Sequence, residues 1–237
     1  MGPGNAWAQR LEPTLMAERD NLVVLFARLP QAGRVKTRLA AGVGAEPAAR
    51  LYEAFTRDLL DLVAGIGTDW RVEVAGDPGA FAAHYGLAPE RCIEQRGADL
   101  GERMQAAFSR ALEEEGYARC VLIGSDLPHL RQAALAKAAV TLALGETDLV
   151  LGPARDGGYY LIAMARVLPI FDGIAWSTDS VLDETRRRAR AAGARIGMLA
   201  EEFDIDTVAD LENLADALGT LPAAVAPHTR AALGGRA

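Results

Sequence analysis

One basic loop and three acidic positions carry the chemistry that this sequence has to offer. Residues 30–39 read Pro-Gln-Ala-Gly-Arg-Val-Lys-Thr-Arg-Leu, which gathers Arg34, Lys36, Arg38, the Thr37 hydroxyl and the flexible Gly33 in one short stretch. A pyrophosphate needs such a stretch: cations to neutralise it and backbone N–H groups that can approach closely. The spacing is not GxxxxGK[ST], so this is no Walker A loop. A solvated basic turn would have the same composition and is the competing reading.

The acids follow later in the chain. Asp126 comes in Gly124-Ser-Asp-Leu-Pro128, directly after the apolar run Cys120–Ile123. A carboxylate at such a strand tip suits Mg²⁺ or Mn²⁺, which prefer oxygen ligands and bridge phosphates. The alternative is a helix N-cap, because a helix follows. Asp204-Ile-Asp206 puts two carboxylates on one side of an extended segment. Asp206 or Thr207 begins the last helix, so the expectation is one metal ligand and one cap, with the assignment left open. Asp156-Gly157-Gly158-Tyr159 places two glycines where a ligand can approach, and Asp156 is the candidate general base. Trp176-Ser177 reads either as a platform for a sugar or acceptor or as a helix start with a packed indole. Gly97-Ala-Asp99-Leu-Gly-Glu-Arg103 opens a helix whose N-terminus favours an anion, or is simply capped. His84, His129 and His228 show no ligand spacing.

These residues need a scaffold, and the hydrophobic pattern supplies one. Apolar runs at 22–27 and 120–123 read as buried strands. Further strands are expected at 71–75, 92–94, 148–151, 159–163 and 195–199. Between them lie helical stripes, such as Leu51, Phe55, Leu59, Leu62 and Val63. Helices are also expected at 99–115, 131–144, 179–192 and 208–218. Strands alternating with helices imply a three-layer α/β/α arrangement with a mostly parallel central sheet. Ligands in such sheets sit beyond the carboxyl ends of the strands, where the loop and the acids lie. The expected organisation is a flexible arm over 1–20, a single domain over 21–218 and a flexible tail over 219–237.

Composition narrows the function. The chain has 237 residues and a net charge of −7, so a general nucleic-acid partner is excluded as an expectation. One local basic loop still suffices for a phosphate ligand. Lys36 and Lys137 are the only lysines, and Cys92 and Cys120 make no metal-binding pair and no disulfide framework. No apolar stretch approaches the roughly 20 residues of a membrane span, and no signal pattern opens the chain. A cytoplasmic protein without a membrane partner is expected.

Taken in order, six blocks resemble a known family. They are Phe26-Ala-Arg28-x-Pro-x-x-Gly-x-x-Lys36-Thr-Arg-Leu39, Gly97-x-x-Leu-Gly-x-Arg103-Met104, Ile123-Gly-Ser-Asp-Leu-Pro128, Asp156-Gly-Gly-Tyr-Tyr-Leu161, Trp176-Ser-Thr178 and Asp204-Ile-Asp-Thr207. They are similar to a bacterial GT-A-like family of glycosyltransferases of the arsenosugar-biosynthesis type, encoded near radical-SAM/selenodomain proteins. The resemblance implies a GT-A (nucleotide-diphospho-sugar transferase) fold, a nucleotide-activated donor, a small-molecule acceptor and a Mg²⁺ or Mn²⁺ cofactor. It adds Arg28 to the substrate-binding residues. The segments around Lys36, Asp126 and Asp204 also resemble the phospholactate guanylyltransferases and molybdenum-cofactor-type nucleotidyltransferases. Two departures stand out: a single Asp126 replaces Asp-x-Asp, and Val208 stands where those nucleotidyltransferases carry proline.

The expected function is therefore metal-dependent glycosyl transfer from a nucleotide-sugar. Arg34, Lys36 and Arg38 would neutralise phosphate, and Asp126 with Asp204 or Asp206 would hold the metal. The first alternative is nucleotidyl transfer from a nucleoside triphosphate to a small phosphorylated acid, releasing pyrophosphate. The second is a non-catalytic nucleotide sensor.

Overall fold

The chain is described by a computed structural model over residues 20–234. All but the last residue of the expected N-terminal arm therefore lies outside the described residues. The sheet begins with β1 (Asn21–Ala27), every residue of which is buried. Its side chains alternate: Val23, Leu25 and Ala27 enter one core, while Leu22, Val24 and Phe26 enter another on the opposite face. A fully apolar strand thus serves two helix layers at once, as a central parallel strand must.

The remaining strands are β2 (Asp69–Val74), β3 (Cys92–Glu94), β4 (Arg119–Ile123), β5 (Leu149–Pro153), β6 (Tyr159–Met164) and β7 (Ile196–Met198). The spatial order is β3-β2-β1-β4-β6-β5-β7. β1 pairs in parallel with both β2 and β4, and β6 alone runs antiparallel to its neighbours β4 and β5. The parallel pairs put the ends of β1, β2, β3 and β4 on the same side of the sheet.

The helices are α1 (Thr37–Val43), α2 (Ala45–Ala64), α3 (Pro78–Tyr85), α4 (Leu100–Ser109), α5 (Gln132–Ala143), α6 (Val181–Ala191), α7 (Val208–Thr220) and α8 (Pro227–Gly234). One face of the sheet packs on the apolar stripe of α2 together with α3 and α5, through Leu59, Val63, Phe81 and Leu135. The other face takes α4, through Met104 and Phe108. A third cluster joins α1, α2 and α7 through Leu39, Phe55, Ile205 and Leu214.

Two features depart from the sequence expectations. The helix expected at 99–115 changes at Arg110 into a π-helical turn (Arg110–Glu114), where Arg110 Nη1 reaches Glu73 Oε1 at 2.9 Å. Arg71 and Glu73, the polar face of β2, are buried beside that turn. The tail expected to be flexible over 219–237 contains α8. Its first turn is held by Asp58 of α2, whose carboxylate accepts from His228 N (2.9 Å), Thr229 N (2.8 Å) and Thr229 Oγ1 (2.5 Å). A polar residue on a mostly apolar helix stripe supplied that anchor, and hydrophobic periodicity is blind to it.

Both cysteines are free and buried, as expected, and burial pushes the Cys92 thiol up to about 11. No helix among the described residues is long and apolar enough to cross a membrane.

Candidate active site

The loop between β1 and α1 turns at Gln31–Arg34, where Arg34 N donates to Gln31 O at 3.0 Å. Gly33 takes φ 77° there, a turn position that favours glycine. Val35 is buried and anchors the loop. Lys36 then adopts φ 47°, ψ 46° at the N-cap of α1. A left-handed lysine is strained, by roughly 1–3 kcal/mol, and persists only where the surroundings enforce it. The enforcement is visible: its ammonium lies 2.5 Å from Asp126 Oδ1 and 2.9 Å from Asp206 Oδ1, and its side chain is only 3% exposed. Arg38 Nη2 completes the group at 2.5 Å from Asp206 Oδ2.

Asp126 sits where β4 ends and caps no helix. The N-cap of α5 is Arg131, which makes no side-chain cap bond. The Asp126 backbone carbonyl accepts Ile205 N at 3.1 Å, tying the β4 tip to the Asp204–Asp206 segment. Ile205 is fully buried while Asp204 and Asp206 both face the cleft, as alternation requires. The expectation of one ligand and one cap is corrected here. Thr207 caps α7 with Asp210 in a reciprocal capping box, which releases both aspartates from capping.

The two aspartates differ in their partners. Asp206 is desolvated, yet Lys36 and Arg38 hold its carboxyl below the usual carboxylate range. Asp204 has no such clamp. Burial first, then the charges of Asp126 and Asp156, push its carboxyl up to about 7. Asp204 is thus the uncompensated acid beside Asp126, and the oxygen donors of the two fit a hard divalent cation there. Among the described residues no three His, Cys, Asp or Glu side chains form a ready cage, so further ligands would come from substrate or water.

These groups line a cleft of about 620 Å³ over the ends of β1 and β4. Arg28, Arg34, Lys36, Thr37, Arg38, Arg103, Tyr159 and Ser177 also line it. Arg28, Arg34 and Arg103 make no ion pair with a carboxylate among the described residues. Arg103 Nε donates to Gly97 O at 3.1 Å, which fixes the guanidinium while leaving its terminal nitrogens available. Ser177, at φ 65°, is a second non-glycine residue in the left-handed region on the cleft wall.

Other sequence candidates fall outside the cleft lining. Asp99 caps α4, accepting Glu102 N at 2.8 Å. Gly33 has open space around it and serves the turn. Gly157, at φ 88°, lies so close to the chain at Asp179 that a Cβ would come 2.1 Å from its carbonyl oxygen. The glycine is therefore required by packing against the segment before α6. Asp156 accepts Gly158 N at 2.9 Å and reaches Asp204 only through its field. Trp176 packs against Phe171 and over Gly101, where a Cβ would meet the indole at 2.7 Å; of its two readings, the packed indole describes it.

The cleft also contains residues that sequence reasoning passed over. Tyr52, on the stripe of α2, is 3% exposed and points its hydroxyl at Ser125. Gln95 follows β3, and Leu100 and Met104 come from α4. The one available signal was the phenol: a tyrosine on a buried stripe must find a hydrogen-bond partner.

Similarity to known proteins agrees with this architecture. Residues 64–178 match DUF2064, described as an uncharacterized protein conserved in bacteria. Over 180 residues the chain is 35% identical to 3-phospho-D-glycerate guanylyltransferase of Phenylobacterium zucineum, covering 71% of this chain and 79% of the relative. A solved structure from Desulfovibrio desulfuricans G20, assigned as a nucleotide-diphospho-sugar transferase, superposes with a TM-score of 0.84 at 35% identity. That match covers 91% of this chain and 94% of the other. The 4-diphosphocytidyl-2C-methyl-D-erythritol synthase of Anaerococcus prevotii shares the fold alone, at TM-score 0.53 and 14% identity over 87% of this chain and 99% of that one. With a nucleotide-diphospho-sugar transferase-like fold and 35% identity over 79% of the Phenylobacterium guanylyltransferase, the chain belongs to the same protein family as that relative.

Proposed function

We propose that this protein is a nucleotidyltransferase that moves a guanylyl group from GTP to a small phosphorylated carboxylic acid and releases pyrophosphate. The observation that carries the reading is the 35% identity over 180 residues to 3-phospho-D-glycerate guanylyltransferase. This was the first alternative from the sequence, and the relative supports it better than glycosyl transfer.

The chemistry suits the cleft. An oxygen of the acceptor phosphate attacks the α-phosphorus of GTP, and the bond from that phosphorus to the oxygen bridging to the β-phosphate breaks. A phosphate monoester is largely ionised near neutral pH, because its second pKa is about 6. The nucleophile therefore needs no general base, and Asp156, outside the cleft lining, is not required as one. Arg28, Arg34 and Arg103 would bind the phosphates of the two substrates, since none is engaged by a carboxylate among the described residues. Asp126 and Asp204 would hold Mg²⁺ or Mn²⁺, which neutralises charge on the leaving pyrophosphate. Lys36 and Arg38, already bonded to Asp126 and Asp206, would keep those carboxylates in position.

The test incubates the protein with GTP, Mg²⁺ and 3-phospho-D-glycerate and measures pyrophosphate by a coupled assay, with phosphorus NMR of the product. Acceptor-dependent pyrophosphate release is expected. The likeness to the Desulfovibrio structure keeps glycosyl transfer as the second reading. Release of a nucleoside diphosphate from nucleotide-sugars, with no pyrophosphate from any triphosphate, would establish it instead.

A further inference from the structure

Tyr52 and Ser125 form a hydrogen-bond chain whose direction can be worked out from proton counting. Arg28 N is 3.1 Å from Tyr52 Oη and, as a backbone N–H, can only donate. Tyr52 Oη lies 2.8 Å from Ser125 Oγ. The phenol has one proton, and burial together with the charge of Asp126 raises its pKa, so it keeps that proton. Were Ser125 the donor to Tyr52, the phenol proton would be buried with no acceptor among the described residues, at a cost typical of an unmade hydrogen bond. The chain therefore runs from Arg28 N–H to Tyr52 Oη, and from Tyr52 O–H to Ser125 Oγ. Ser125 accepts on the inner side, and no protein group among the described residues takes its own proton. Ser125 lines the cleft next to Asp126.

We propose that Tyr52 is a positioning residue that sets the Ser125 hydroxyl as a fixed hydrogen-bond donor to a phosphate oxygen of the bound nucleotide. This rests on the reading of the cleft as a nucleotide site. The phenol links the ends of β1 and β4, so the donor is held by two strand tips and by α2 rather than by its own loop alone. Such prior orientation is what makes a single donor effective against developing charge.

The test is a double-mutant cycle on the full chain. Dissociation constants for GTP with Mg²⁺, and for inorganic pyrophosphate with Mg²⁺, are measured by calorimetry in wild type, Tyr52→Phe, Ser125→Ala and the double variant. Melting temperatures are recorded without ligand. Ser125→Ala should weaken GTP binding about tenfold or more, the range for a hydrogen bond to a charged group. Tyr52→Phe should weaken it less. The double variant should bind like Ser125→Ala, because without the hydroxyl Tyr52 has nothing to aim. Ser125→Thr, which keeps a hydroxyl, should bind like wild type when Tyr52 is present and only as well as Tyr52→Phe when Tyr52 is replaced. Losses that multiply in the double variant would overturn the inference, as would unchanged affinity in Ser125→Ala or no binding of either probe by wild type. A lowered melting temperature alone, with affinity intact, would leave Tyr52 as a packing residue and also overturn it. Pyrophosphate release is followed in parallel: its absence beside a coupled binding cycle would sink the proposed reaction while leaving this inference standing.

Discussion

At the scale of single residues, the acids in the cleft are unequal although they look alike in sequence. Asp126 caps nothing and is nearly half exposed, so Asp126→Ala should leave the fold in place. Its kcat should fall about 100-fold or more, the size of losing electrostatic stabilisation in an active site. The check is steady-state kinetics beside a melting curve, and near-normal kcat would remove Asp126 from the chemistry. Lys36 behaves differently from a loose phosphate binder. Its ammonium is buried between Asp126 and Asp206, so Lys36→Ala should lower the melting temperature of the ligand-free protein. Breaking such a cluster costs roughly 1–3 kcal/mol here, discounted because both carboxylates keep contact with water. An unchanged melting temperature would show that the pairing contributes nothing to stability.

Asp204 supplies the pH dependence. Its carboxyl, raised to about 7, holds a proton more tightly in the folded protein than in the unfolded chain. That preference favours folding fully below the unfolded value of about 4 and is lost as pH rises through about 7. The ligand-free protein should therefore lose stability across this window, and Asp204→Asn should flatten the loss. Melting temperatures of the two proteins near pH 5 and pH 8 decide it. The variant should gain on wild type at the higher pH, and a gap independent of pH would count against the buried, uncompensated carboxyl.

At the scale of elements, stability at the far end of the chain depends on one polar contact. Asp58 accepts three hydrogen bonds from the first turn of α8, in the manner of a borrowed N-cap. Caps are worth about 0.5–2 kcal/mol. At about 2–4 °C per kcal/mol for a domain of this size, Asp58→Ala should lower the melting temperature by several degrees without changing nucleotide affinity. A melting temperature within a degree of wild type would mean that α8 contributes little. The capping box of α7 was readable in type, since Thr207 precedes an acid three residues on. Which of Asp206 and Thr207 did the capping was not readable, because both can accept from N–H groups. Only the three-dimensional position of Lys36, 170 residues away, drew Asp206 elsewhere.

At the scale of the whole molecule, a net charge of −7 coexists with a cleft in which five cationic side chains face three carboxylates. GTP with Mg²⁺ at about 100-fold its dissociation constant should add about 2.7 kcal/mol, a rise of about 5–10 °C in melting temperature. No shift with GTP or any other nucleotide would deny the cleft its proposed ligand. The sequence by itself determined the α/β class, the parallel core strands and the set of loops that meet over their ends. Those depend on hydrophobic period and on turn residues, which are local and survive in any context. It also placed Arg34, Lys36, Arg38, Asp126, Asp204 and Asp206 at strand or helix boundaries, where side chains converge on a ligand. Only the tertiary structure decided which charges pair. Lys36 meets Asp126 and Asp206, Asp204 is left without a clamp, Gly157 is needed for packing against Asp179, and Tyr52 is carried into the cleft by a mostly apolar helix stripe. Pairing of this kind depends on distances between residues far apart in the chain and on the burial that sets their charge. Neither quantity exists until the sheet has closed and the strand tips stand side by side.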